Sequence, residues 1–175
     1  MSNTTQVFGA LIQGYVSACR NLNIVAGQKV DSIIRDLQVN KWYSLNDFVA
    51  LQEIVKDTYN DSPAIFENVG IEMMKNWYDH GPGKQLVKTG VEFLTFQTSS
   101  EGYYSVIKGD ADSIGEFKLT KLDETKGVAE IESSTPFNRN MERGVIYGGM
   151  KAPGDLSFLT VTNNEDENRF IIKFF

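Results

Sequence analysis

The hydrophobic pattern of this chain changes its period near Gly115. Before that residue, apolar side chains recur three and four positions apart, which is typical of one face of an α-helix. After it, apolar and polar residues alternate, with Phe117 and Leu119 on one face and Glu116 and Lys118 on the other. Such alternation is typical of a half-buried β-strand. Helices followed by strands predict an α+β fold and disfavour a doubly wound parallel sheet.

Capping and breaking residues divide residues 1–110 into a series of helices. Ser62 followed by Pro63 marks the clearest start, because a proline at the first helical position loses no hydrogen bond. We expect helices from Thr4 or Thr5 to about Leu22, after Gly27, from Ser44, and from Ser62 to Gly81. The stretch from Lys84 to Gln97 favours another helix, although its second half also suits a strand.

Residues 111–175 predict the order strand, strand, helix, strand, strand. Loops at 123–127 and 163–168 have the length and polarity of hairpin turns, and Thr135-Pro136 is expected to open the helix between the two hairpins. Hairpins on both sides of a helix predict an antiparallel sheet. We therefore expect a single compact domain over residues 1–175, mainly helical in 1–110 and ββαββ in 111–175.

Charge and cysteine content exclude several functions. The chain has 17 Lys and Arg against 23 Asp and Glu, and this net charge of -6 opposes general nucleic-acid binding. Its single cysteine, Cys19, allows neither an intramolecular disulfide nor a thiolate zinc site. The N-terminal residues lack a signal-peptide pattern, and no apolar run reaches the length of a membrane span. We expect a cytoplasmic protein.

Catalytic and metal motifs are missing from the sequence. No G-x-S-x-G or phosphate-binding glycine pattern occurs. Asp110 begins a segment like a calcium loop, but Lys121 stands where a bidentate glutamate is required. We therefore assign no catalytic residue and no metal ligand. The sequence leaves open whether the chain is an enzyme, and it favours a non-enzymatic function.

His80 is the only histidine. It could serve as the axial ligand of a haem or another tetrapyrrole, as a metal ligand, or as an acid/base group. A histidine at the end of a helix also interacts favourably with the helix dipole, which requires no ligand. One histidine without a cysteine partner cannot build a transition-metal site from protein side chains alone.

Aromatic residues form the candidate ligand-binding set. Tryptophan and tyrosine often line ligand pockets because each combines a large apolar body with a polar group. The alternative is that the same residues serve packing. The candidates are Trp42, Tyr43, Trp77, Tyr104, Phe137 and Tyr147.

Gly144 and Gly148 are four residues apart on the helix of the C-terminal part. Glycines with this spacing allow another helix to approach closely. We interpret this face as a candidate interface, either in a dimer or as the wall of a ligand site.

The order of these elements resembles the superfamily that groups haem–nitric-oxide-binding domains, 4-vinyl-reductase domains and TRAPP vesicle-tethering subunits, in particular a bacterial branch of that group. Two regions carry the resemblance. One comprises residues 41–48 and 68–74, where an aromatic-rich helix start precedes a glycine-bearing helix, and the other comprises residues 135–137, 143–150, 156–161 and 170–174. The haem members also carry a Tyr-x-Ser-x-Arg motif, and here Tyr104-Ser105 is not followed by the arginine.

The aromatic set, the spacing of Gly144 and Gly148 and the missing catalytic motifs predict a non-enzymatic small-molecule sensor or protein-interaction domain. It would bind an apolar ligand, such as a lipid or tetrapyrrole, between the helices and the sheet, and it would act as a homodimer or with a partner protein. One alternative is a haem-based gas sensor with His80 as axial ligand. The other is an enzyme that acts on a pigment or another apolar substrate.

Overall fold

The computed structural model describes residues 5–24, 28–163 and 166–175. Its first part contains, in chain order, β1 (Gln6–Phe8), α1 (Gly9–Asn21), α2 (Gln28–Ile34), β2 (Trp42–Ser44), α3 (Leu45–Thr58), α4 (Pro63–His80), α5 (Gly83–Leu86) and α6 (Gly90–Gln97). A 3-10 turn (Tyr103–Ser105), β3 (Ile107–Lys108) and α7 (Ala111–Ile114) follow. The second part contains β4 (Phe117–Asp123), β5 (Val128–Ser133), α8 (Arg139–Lys151), β6 (Leu159–Asn163) and β7 (Arg169–Phe174).

The predicted α+β class and the ββαββ order are confirmed. The second part forms a four-stranded antiparallel sheet in the order β4-β5-β7-β6. Its inward side chains alternate as the sequence predicts: Ala129 and Ile131 on β5 are buried beside Phe170 and Ile172 on β7. Helix α8 leaves the sheet after β5 and packs against the N-terminal helices.

A second, smaller sheet was not predicted from the sequence. Strand β1 lies between β2 and β3, with Val7 opposite both Tyr43 and Ile107. The prediction of a helix from Thr4 or Thr5 was therefore wrong at its start, because α1 begins at Gly9. A strand of three residues is too short to show a period of two, and its hydrogen bonds come from residues far along the chain.

The capping predictions have mixed outcomes. Ser44 caps α3, since its Oγ accepts a hydrogen bond from the Asn46 N–H at 3.2 Å. Pro63 begins α4 as predicted, but the Ser62 side chain makes no capping hydrogen bond. The prediction that Thr135-Pro136 opens α8 was wrong, because the Asn138 side chain accepts from the first backbone amides of that helix instead.

Helices α5 and α6 cover most of the stretch from Lys84 to Gln97, where the sequence favours a helix but leaves a strand open, and the rest of residues 84–110 holds the 3-10 turn and the short strand β3. Helix α6 begins at Gly90, and the Thr89 Oγ1 caps it by accepting from the Glu92 N–H at 3.1 Å. The Glu92 carboxylate in turn accepts from the Lys88 N–H at 2.7 Å. These reciprocal bonds satisfy amides at the helix start that would otherwise lack a partner.

Helices α4 and α8 pack with their backbones in contact. A Cβ atom at Gly144 would overlap the Glu67 carbonyl, one at Gly70 would overlap the Met141 carbonyl, and one at Gly148 would lie 2.8 Å from the Ile71 Cα. Only glycine permits this approach. Next to it, the Arg143 guanidinium donates to the Glu67 carboxylate at 2.8 Å.

Among the helices of the described residues, none is both long enough and apolar enough to cross a membrane.

We predict that Gly144→Ala lowers the free energy of unfolding by about 1–3 kcal/mol, because the added methyl group forces α4 and α8 apart. Gly14→Ala on α1 is the matched control, since its Cβ would have only the Met73 Cε nearby, at 4.0 Å. That variant should be as stable as the natural chain or about 0.5–1 kcal/mol more stable. Urea unfolding of both variants checks the prediction, and equal effects would contradict it.

Candidate functional site

The aromatic residues selected from the sequence lie in separate parts of the molecule. Trp42 is on β2, its ring 5.1 Å from that of Phe8 and 4.3 Å from the Lys108 ammonium. The neighbouring Tyr43 hydroxyl accepts a hydrogen bond from the Gln38 N–H at 2.7 Å. These two side chains therefore contact the small sheet and the loop before it.

Trp77 and Tyr147 lie on α4 and α8, away from that sheet. The Trp77 ring packs on Phe93 and Phe96 of α6, with centroids 6.0 and 5.4 Å apart. Tyr147 lines a groove of about 200 Å³ between α4 and α8, together with Gly148.

Tyr104 and Phe137 are the two candidates that the fold brings together. Both rings pack against Tyr103, with centroid distances of 5.0 and 5.8 Å. Tyr104 also accepts a hydrogen bond from the Phe117 N–H and lines a surface cleft of about 500 Å³. The six residues thus do not form one pocket.

A continuous run of aromatic rings fills the space between the N-terminal helices and the sheet. Neighbouring rings lie 5.3 to 5.8 Å apart, mostly edge to face, in the order Tyr15, Phe48, Phe137, Tyr103 and Phe117. Each of these side chains is buried. The region in which the sequence predicted a ligand is therefore occupied by side chains of the chain itself.

His80 is exposed at the last position of α4. Its neighbour Asp79 pairs with Lys84 on the surface, at 3.3 Å. The imidazole is thus at the molecular surface and not in the helix–sheet interior.

Gly144 and Gly148 face α4 of the same chain. The close packing expected from their spacing is thus an intramolecular contact. That contact lies on the helix face that was interpreted as an interface, either in a dimer or as the wall of a ligand site.

A buried polar cluster at the start of α8 was missed by the sequence analysis. The Glu142 carboxylate accepts hydrogen bonds from the Ser133 hydroxyl at 2.9 and 3.0 Å and from the Thr135 hydroxyl. Arg139 donates to it at 3.0 Å and to the Phe137 carbonyl at 2.9 Å. One signal could have found the cluster: Glu142 lies next to Met141 on the apolar stripe of α8, where a carboxylate is out of place.

Burial is the main cause of the pKa shifts in this cluster. Burial raises the pKa of Glu142, and the nearby Arg139 and the two hydroxyl donors lower it in part. Burial also raises the pKa of Tyr103, and the charge of Glu142 raises it further. Since hydroxyl and guanidinium donors already bind both carboxylate oxygens, the arrangement fixes the connection between β5 and α8. It presents no free nucleophile or base.

A cavity of about 200 Å³ lies between α1 and α2, behind Tyr15 and Cys19. Tyr15 is 2% exposed, and its hydroxyl has no hydrogen-bond partner. Burial raises the pKa of this hydroxyl and raises that of the Cys19 thiol to about 11. The neighbouring Cys19 thiol raises the pKa of Tyr15 further. A buried hydroxyl without a partner is rare in native proteins and requires an explanation.

The described residues do not fit a histidine-bound haem. The sole histidine is at the surface, and the helix–sheet interior is packed with rings. The described residues also contain no group of three His, Cys, Asp or Glu side chains placed to hold a metal ion.

Comparison with solved structures defines the fold as that of haem–nitric-oxide-binding (H-NOX) domains. An oxygen-binding H-NOX domain related to soluble guanylate cyclases, solved as its oxygen complex, matches with a TM-score of 0.68 and 16% identity over 95% of this chain and 94% of its own. A structure from work on haem distortion in the H-NOX family matches with a TM-score of 0.70, 16% identity and the same coverage. An H-NOX mutant from T. tengcongensis gives 0.64 at 16% identity, over 95% of this chain and 96% of its own. Of the three groups in the predicted superfamily, these neighbours represent the haem–nitric-oxide-binding one.

Comparison with protein-family models finds no match. Comparison with curated proteins finds none either.

We predict that Glu142→Ala lowers the free energy of unfolding by about 3 kcal/mol, because Arg139 and two hydroxyl groups lose their acceptor in a buried site. Glu142→Gln should cost less, since its amide oxygen still accepts. Urea unfolding at neutral pH measures both effects. The exposed Glu101→Gln is the control, and a Glu142→Ala variant as stable as that control would contradict the assignment.

The pH dependence of stability provides a further check on Glu142. Because folding raises its pKa, the folded state binds the proton more tightly than the unfolded chain. The stabilising contribution of Glu142 is therefore complete below the ordinary glutamate pKa and is lost as pH rises through the folded value. Glu142→Gln cannot ionise, so its unfolding free energy should decline less over that pH range than the natural chain's. An identical decline in both would show that Glu142 does not cause it.

Proposed function

We propose that this chain is a non-enzymatic domain that senses a small molecule through an H-NOX-type fold, without a histidine-bound haem. The cavity behind Tyr15 carries the proposal. Most of its lining is apolar, Arg20 and Asp31 lie at it as well, and the buried Tyr15 side chain carries a hydroxyl without a partner; small-molecule sites are typically apolar with a few polar groups. A ligand atom that pairs with the Tyr15 hydroxyl would remove the cost of burying it unpaired.

The position of the cavity suits a sensor because α1 connects it to the rest of the fold. Helix α1 packs against α4, and α4 packs against α8. At the end of α1, the Asn21 amide donates to the Glu72 carboxylate of α4 at 3.1 Å. A ligand that binds one arrangement of α1 and α2 more tightly than another would shift the population towards that arrangement. Assembly of the chain as a homodimer or with a partner protein stays a prediction.

A haem-based gas sensor with His80 as axial ligand is the second candidate. The likeness to H-NOX domains studied for oxygen binding and haem distortion favours it. The exposed position of His80 and the filled interior weigh against it. Bound haem would supply an iron centre for diatomic gases. The residues next to His80 that could orient a bound haem, Asp79 and Lys84, are exposed at the surface.

We predict that native mass spectrometry of the protein purified from its own host shows one small molecule per chain, released on denaturation. The visible spectrum should lack a Soret band. A bare chain mass under gentle ionisation would contradict small-molecule sensing and favour a protein-interaction domain.

Titration with haemin separates the two candidates. We expect no saturable Soret band at one haem per chain, and the same result for His80→Ala. A stoichiometric band in the natural chain that is lost in His80→Ala would overturn the haem-independent proposal in favour of the gas sensor.

A further inference from the structure

Two cavities between α1 and α2 share a wall. The apolar one behind Tyr15 is about 200 Å³ and is lined by Val16, Cys19, Ile24 and Val30. The second is about 320 Å³ and polar, and its lining includes Gln13, Ser17 and Arg35. Val16, Arg20 and Asp31 line both cavities. The two cavities therefore offer adjoining subsites of different chemistry.

The polar cavity carries a surplus of positive charge. The Arg20 and Arg35 guanidinium groups line it together with a single carboxylate, that of Asp31. Within the described part of the chain, neither guanidinium forms an ion pair, whereas Arg139, Arg143 and Arg169 are each paired with a glutamate. An unpaired guanidinium has its planar set of donors available for a carboxylate.

The apolar cavity is lined by a residue with an unpaired polar group. Apart from Tyr15 and the shared Arg20 and Asp31, its lining consists of aliphatic side chains and the Cys19 thiol, which burial holds protonated at neutral pH. The Tyr15 hydroxyl, buried and without a partner, can donate to or accept from a ligand oxygen. A purely hydrocarbon ligand would leave that hydroxyl unsatisfied.

We infer that this pair of cavities binds a small amphipathic carboxylate with a hydroxyl or carbonyl group at the far end of an apolar body. The carboxylate lies between Arg20 and Arg35, the apolar body rests against Val16, Ile24 and Val30, and the distal oxygen pairs with Tyr15. This inference rests on the proposed small-molecule function and names its site and ligand class.

Three probes separate the two ends of the site. Para-hydroxyphenylpropionate carries both polar groups, phenylpropionate lacks the distal hydroxyl, and the corresponding phenylpropanol lacks the charge. Isothermal titration calorimetry on the full chain should give the tightest binding for the first probe, at one molecule per chain. The two reduced probes should each bind at least about fivefold more weakly, a factor that corresponds to one hydrogen bond or one exposed ion pair.

Substitutions test which residue binds each end of the ligand. Tyr15→Phe should lower the affinity for para-hydroxyphenylpropionate and leave that for phenylpropionate unchanged, a difference that a merely structural role would not produce. Arg20→Gln and Arg35→Gln should each weaken binding of both acids about threefold to fivefold and leave that of the alcohol unchanged. Asp31→Asn should tighten binding of both acids, and Lys118→Gln, an exposed charge on β4, is the matched control without effect.

The outcomes distinguish this inference from the proposed function. If native mass spectrometry finds a bound small molecule but none of the probes binds, the inference is overturned and the sensing function stands. If the probes bind with affinities that Tyr15→Phe, Arg20→Gln and Arg35→Gln do not change, the site lies elsewhere and the inference is again overturned. A bare chain that binds no probe overturns both.

Discussion

The backbone contact between α4 and α8 is the constraint on which the rest of the structure depends. Gly70, Gly144 and Gly148 lie where any side chain would collide with the backbone or side chains of the opposite helix. Their contact joins the helical part to the sheet, because α8 is flanked by β5 and β6. Glu142, two residues before Gly144, binds Ser133 and Thr135 and so fixes how α8 leaves the sheet. Glycine packing and a buried carboxylate thus set one arrangement of the two parts. The same glycines that suggested an interface between chains are used within one chain.

This protein shares its backbone fold with H-NOX domains, but the side chains in its interior do not fit a histidine-bound haem. The backbone follows that of H-NOX domains over 95% of its length, yet the side chains that fill the helix–sheet interior are aromatic rings, and the sole histidine is at the surface. A fold can host several functions, and the site decides among them. A filled interior does not remove the capacity to bind a ligand. Volume is available elsewhere, and the cavity between α1 and α2 adjoins the filled interior at Tyr15. Its ring packs on Phe48 in the interior, and the same residue lines the cavity.

The candidate site shows why residue type alone is a poor guide to ligand-binding residues. Tryptophan and tyrosine were chosen as ligand contacts because they often line pockets, but Trp77 packs on α6 and Tyr43 binds a loop amide. Tyr15 was overlooked because it lies on the apolar stripe of α1, where it reads as an ordinary core residue. Its significance comes from an unpaired hydroxyl, and whether a group is paired depends on every neighbour in the folded chain. Glu142 differs, since a carboxylate on an apolar helix stripe is visible in the sequence and indicates a buried partner.

The sequence by itself determined the α+β class, the ββαββ order and several helix ends. These features depend on periodicity and on caps such as Ser44 and Pro63, which act within one or two turns of the chain. Only the tertiary structure decided that β1 pairs with both β2 and β3, that Asn138 and not Thr135 caps α8, and that Arg20 and Arg35 line one cavity next to that of Tyr15. Pairing, burial and the satisfaction of polar groups depend on residues brought together from distant positions. A local sequence pattern predicts which side chains face the core. The residues that those side chains contact are determined by the packing of the whole chain.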